Sequence, residues 1–116
     1  METKIETTDE RLKDLLCGAF EGGSGYWIDE VKVPSKKAQK RAGAEYYHES
    51  PVVGLELVIT SEEGKHTLNR ASLEKGLQVF AQKCPRQFGD FIAENDDAET
   101  SDCFLQCCLF GEVIFG

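Results

Sequence analysis

The chain has 116 residues, 41% of them hydrophobic, and its 21 acidic and 13 basic side chains give a net charge of −8. That length suits one domain with a core of its own, and the acidic balance opposes binding through nucleic acid phosphates. No apolar run reaches the about 18 residues needed to cross a bilayer, and five cysteines behind a charged N-terminus are expected to be reduced thiols of a cytoplasmic protein.

In chain order, TTDERLKDLLCGAF predicts a helix. Thr7 or Thr8 can cap it, Thr7 and Glu10 have capping-box spacing, and Leu12, Leu15, Leu16, Ala19 and Phe20 form one apolar stripe. Gly22 and Gly23 follow where a helix stop favours a left-handed residue. YWIDEVKV alternates as a strand up to Pro34, and residues 34–50 read as a mobile basic loop with some helical character. PVVGLELVIT is the strongest strand, and KHTL returns from a turn at Gly64. A second helix starts at Asn69, turns Leu73, Leu77, Phe80, Ala81 and Cys84 inward, and breaks at Pro85. FGDFIAEN predicts a short helix, residues 98–110 another closed by Gly111, and EVIFG a final strand. The fold class is α+β: a single domain over 1–116, with a small, mostly antiparallel sheet of three or four strands packed against about three helices.

The glycine turn EGGSGYW lies at the wrong end of a helix for a phosphate loop and lacks the Lys-Ser/Thr of one, so it reads as a turn. Tyr26 and Trp27 would point to opposite faces of a strand, with Trp27 the core residue and Tyr26 free for a partner. Cys103 and Cys107 share a helix face, but no second ligand pair accompanies them; no metal site is predicted, and the thiols read as small core residues. Lys32, Lys36, Lys37, Lys40 and Arg41 form a basic stretch without an acid, and the remaining eight basic and 21 acidic residues leave the rest of the chain at −13. Tyr46, Tyr47 and His48 follow closely, a pattern compatible with a solvated loop, an acidic protein partner or single-stranded nucleic acid. Glu94, Asp96, Asp97, Glu99 and Asp102 lack the order of a calcium loop and read as a solvated helix start, with imitation of DNA phosphates as the functional alternative. No hydrolase, kinase, dinucleotide or metalloprotease motif occurs, so no enzyme activity and no cofactor is predicted.

EGGSGYW, SLEKGLQVF and DCFLQCCLFGEVIFG together resemble a family of small uncharacterised proteins encoded by bacteriophages, prophages and integrative elements. The resemblance covers about half the chain and leaves the basic stretch unmatched. It implies a mobile-element accessory protein that binds a host or element-encoded protein, for example as a defence inhibitor or acidic DNA mimic. The expected interaction residues are Glu21, Gly22, Gly23, Tyr26, Trp27, Lys36, Lys37, Lys40, Arg41 and Glu112. A pocket for a small ligand or nucleotide at the glycine turn and Tyr26/Trp27 is the alternative, and the EVIFG strand offers an edge for a homodimer.

Overall fold

The computed structural model describes residues 4–116, an α+β arrangement of five helices and a three-stranded antiparallel sheet. Helix α1 spans Asp9–Gly18 and runs on into a π turn, Ala19–Gly23. Thr8 is its cap, its hydroxyl accepting from Arg11 N at 3.2 Å, so the predicted Thr7/Glu10 box does not form. Leu12, Leu15, Leu16 and Ala19 are buried as the stripe requires.

Gly22 and Gly23 do not take the predicted left-handed stop; both belong to the π turn. Gly23 is needed for space: a Cβ there would stand 2.3 Å from the Ala98 carbonyl oxygen. Gly18 serves likewise, its missing Cβ leaving room for Ser101. The glycines let α1 and its π turn lie directly on Ala98 and Ser101.

The predicted strand over YWIDEVKV shrinks to β1, Glu30–Lys32, because Trp27 and Ile28 amides turn back to the Ser24 carbonyl. The basic stretch holds a helix, α2 (Lys36–Ala42), capped by the Ser35 hydroxyl on Ala38 N and stopped by left-handed Gly43 at φ 89°. A 3-10 turn follows at Tyr47–Glu49. PVVGLELVIT supplies only β2, Leu57–Ser61, since Pro51–Gly54 are spent on turns. β3, Gly64–Leu68, returns antiparallel with Leu57 opposite Leu68 and Ile59 opposite His66, and β2 is the central strand.

Helices α3 (Arg70–Lys83), α4 (Pro85–Ile92) and α5 (Ala98–Phe110) complete the molecule. Asn69 caps α3 in a reciprocal box with Ser72, Asp97 caps α5 the same way with Thr100, and Gly111 ends α5 at φ 74°. Residues 100–107 are buried without a break, so α5 is the central helix, enclosed on all sides as its lack of a polar face requires. Phe80 and Phe104 meet edge to face at its centre, 5.6 Å apart. Of the predicted inward residues of α3, Leu73, Leu77, Phe80 and Cys84 are buried and Ala81 is half-buried.

The predicted final strand does not form. Ile114 N and Phe115 N each donate to Gln106 Oε1 at 2.8 Å, and Gln106 Nε2 donates to Phe115 O at 3.1 Å. A buried glutamine amide takes the place of a neighbouring strand, and the strand edge on which the expected homodimer rested is absent. Gln78 holds the other end similarly, accepting from Ile5 N at 2.9 Å and donating to Ile5 O at 2.7 Å.

Candidate functional site

Two groups of predicted site residues are set out by this fold. The first surrounds Asp102, one turn into α5. Its carboxylate is buried and accepts from Ser24 Oγ (2.8 Å), Trp27 Nε1 (2.7 Å) and Gln106 Nε2 (3.1 Å) at one oxygen, and from Tyr26 OH (2.7 Å) at the other. Four neutral donors and no cation stabilise it, which is how a buried carboxylate avoids the cost of an unpaired polar group. The acidic run therefore is not a solvated loop throughout. Asp102 lies in the core, Asp97 caps α5, and Asp96 pairs with Arg11 at 2.7 Å.

Trp27 is 5% exposed and Tyr26 61%, the division expected of them, although both lie in a turn rather than a strand. Phe115 stacks on Trp27 (5.2 Å between centroids, 7° between planes) and Phe110 meets it edge-on at 5.5 Å. EGGSGYW and DCFLQCCLFGEVIFG, two of the three segments that carry the resemblance, thus meet in space through Asp102, Gln106 and these rings. Burial and the Asp102 hydrogen bond push the Tyr26 hydroxyl up to about 12. Shallow clefts flank this point, one reaching Gly22 and Gly23, the other Asp29 and Glu62. Of the two aromatics offered to a ligand in the sequence reading, Trp27 is covered by the chain's own tail, while Tyr26 lines both clefts. Glu21 and Glu112 do not join the network; Glu21 is exposed and lies instead beside Cys17, Tyr47 and His48.

The second group is α2. Lys36, Lys37, Lys40 and Arg41 are all exposed, and among the described residues no ion pair reaches any of them. The helix buries no residue and packs substantially on no other element. It borders a cleft whose walls include Lys36, Gln39, Lys40, Ala44, Tyr46 and Tyr47, and which shares no residue with the clefts at Tyr26. Tyr46, 56% exposed, lies flat on the buried His48 ring (5.6 Å, 6°).

Burial lowers the pKa of His48 below its usual 6.5, against the opposing charges of Glu49 and Glu21, and its Nδ1 finds no partner among the described residues. The unfolded imidazole takes up a proton before the folded one, so this contribution to stability is complete above about pH 6.5 and falls away as the pH drops. Urea titrations at about pH 7.5 and about pH 5.5 should show a larger acid loss of stability for the wild type than for His48→Phe. Equal losses would show that His48 does not titrate differently in the fold.

All five cysteines are free, and Cys84, Cys103 and Cys107 are buried, with Cys84 Sγ and Cys107 Sγ 3.8 Å apart. Burial pushes Cys103 up to about 12 and Cys107 higher still, the opposite of a nucleophile's environment. Among the described residues no group of three His, Cys, Asp or Glu side chains could hold a metal ion, and no helix is long and apolar enough to cross a membrane. The sequence reading missed Asp102 and Gln106. Their signal is a polar pair at i, i+4 within the apolar run of α5, opposite a Trp and a Tyr that both need hydrogen-bond partners.

No protein-family model, curated protein or solved structure matches the chain.

Proposed function

We propose that the chain is a non-catalytic interaction protein that acts by binding another protein. The observation that carries this reading is charge separation: four exposed cations, unpaired among the described residues, stand on one helix, while without the basic stretch the chain carries −13. Such polarity steers and orients a charged partner, and a helix that covers no core gains little from the fold it belongs to. The resemblance supplies the setting, a cytoplasmic accessory of a bacterial mobile element whose partner is encoded by the host or the element. A docking role fits better than DNA mimicry, because Asp96, Asp97 and Asp102 are engaged within the molecule.

Affinity capture from bacterial lysate tests this. The expected result is a specific partner retained at low salt and released at high salt, as exposed ion pairs require. Recovery of no specific partner would count against the reading. The alternative, a nucleotide or small-ligand module at the glycine turn, has Phe115 lying on its chief aromatic surface. A thermal-shift screen with nucleotides should leave the melting temperature unchanged, whereas a true ligand raises it by mass action.

A further inference from the structure

We infer that α2 and Tyr46 form the docking face, and that its occupant is an acidic protein segment with two carboxylates about one helical turn apart and an apolar side chain beside them. This rests on the interaction reading above and names the partner's chemistry.

The sequence spends several devices on a helix that buries nothing. Ser35 caps its start, Gly43 closes it in the left-handed region, and Lys40 and Arg41 occupy the last turn, where cations suit the helix dipole. A seven-residue helix has almost no stability of its own, so these caps maintain a surface rather than a core contact. Lys36 and Lys40 form one i, i+4 row and Lys37 and Arg41 the next, each row setting its Cβ atoms about 5–6 Å apart. Carboxylates at i and i+4 of an acidic helix have the same spacing.

Beside these rows, Tyr46 is already ordered. One face rests on the buried His48 ring and the other is free, so docking against it costs little side-chain entropy. The cleft between Tyr46 and the Lys36–Lys40 row, floored by Ala44, receives the apolar side chain. Aromatic residues beside cations, in a spot that loses water on docking, are where binding energy concentrates. A protein segment fits better than a nucleic acid. Helix α2 is only about 10 Å long, and phosphates continuing past it would meet Glu45 at the cleft and the acidic body beyond.

The experiment screens a displayed library of random peptides against the wild type and against a Lys36→Gln/Lys40→Gln variant. The expected binders are rich in Asp and Glu around an aromatic or large apolar residue. They should lose about tenfold or more in affinity with the variant, whose melting temperature stays within about 2 °C of wild type because the substituted side chains are exposed and form no ion pair among the described residues. Tyr46→Ala should weaken the same binders. Binders indifferent to both changes would overturn the assignment of the face while leaving the interaction reading in place. A library that yields no binder would overturn both. Tighter binding of oligothymidylate than of any selected peptide would replace the protein segment by nucleic acid.

Discussion

Asp102→Ala is expected to destabilise the fold by about 3–5 kcal/mol, a large part of the 5–15 kcal/mol that holds a domain of this size. The substitution removes the carboxylate and leaves Ser24 Oγ and Trp27 Nε1 as donors in surroundings with little access to water, while Gln106 Nε2 keeps the Phe115 carbonyl. Each unsatisfied buried donor costs about 1–3 kcal/mol, and entry of a water into the vacated space recovers part of the sum. Asp102→Asn keeps the shape and one oxygen acceptor, and its new amide can donate to the Tyr26 oxygen, so its cost is about 1–2 kcal/mol. Urea unfolding of the three proteins measures both differences. An Asp102→Ala protein within about 1 kcal/mol of wild type would mean that the donors are solvated in the fold.

Trp27→Ala comes next, with an expected loss of about 3–5 kcal/mol from the emptied space alone. The indole fills the gap between α5 and the tail, stacked on Phe115 and edge-on to Phe110, and it donates to Asp102. Its removal deprives the tail of its apolar seat, so the amides of Ile114 and Phe115 should lose hydrogen-exchange protection along with the global loss. Trp27→Phe keeps an aromatic ring, smaller than the indole, and removes the N–H, leaving Asp102 with Ser24, Tyr26 and Gln106, and should cost about half as much as the alanine change. If Trp27→Phe matched Trp27→Ala, the hydrogen bond rather than the ring would be the main contribution.

What could be read in the sequence depended on how local its cause was. Helix α5 over 98–110 with Gly111 behind it, Asn69 as the α3 cap, and the β2–β3 hairpin around Gly64 all follow from signals within a few residues. The burial of Trp27 was legible because a lone tryptophan has few better places than a core. The glycine turn was misread as a left-handed stop because what Gly23 accommodates, the Ala98 carbonyl, comes from a distant segment. Asp102 looked like one more solvated acid, since its donors come from residues 24–27 and from the next turn of α5. EVIFG has the alternation of a strand, yet what it meets is a side-chain amide, and no pattern in the segment itself announces Gln106.

For the candidate site, the basic residues were legible as a charge run with some helical character, but the bounds of their helix were not, because a run so dominated by polar residues leaves no apolar period to detect. Its caps, Ser35 and Gly43, are in the sequence, and reading them as the start and stop of a seven-residue helix would have found it.

The central claim is that α2 belongs to the binding surface and not to the folded core. Amide hydrogen exchange across residues 36–42, measured on the free protein and on its complex with a library-selected acidic peptide, tests it most directly. The expected result is weak protection in the free protein, far below that of α5, rising strongly in the complex. Protection in the free protein equal to that of α5, or no change at residues 36–42 when the peptide binds, would contradict it.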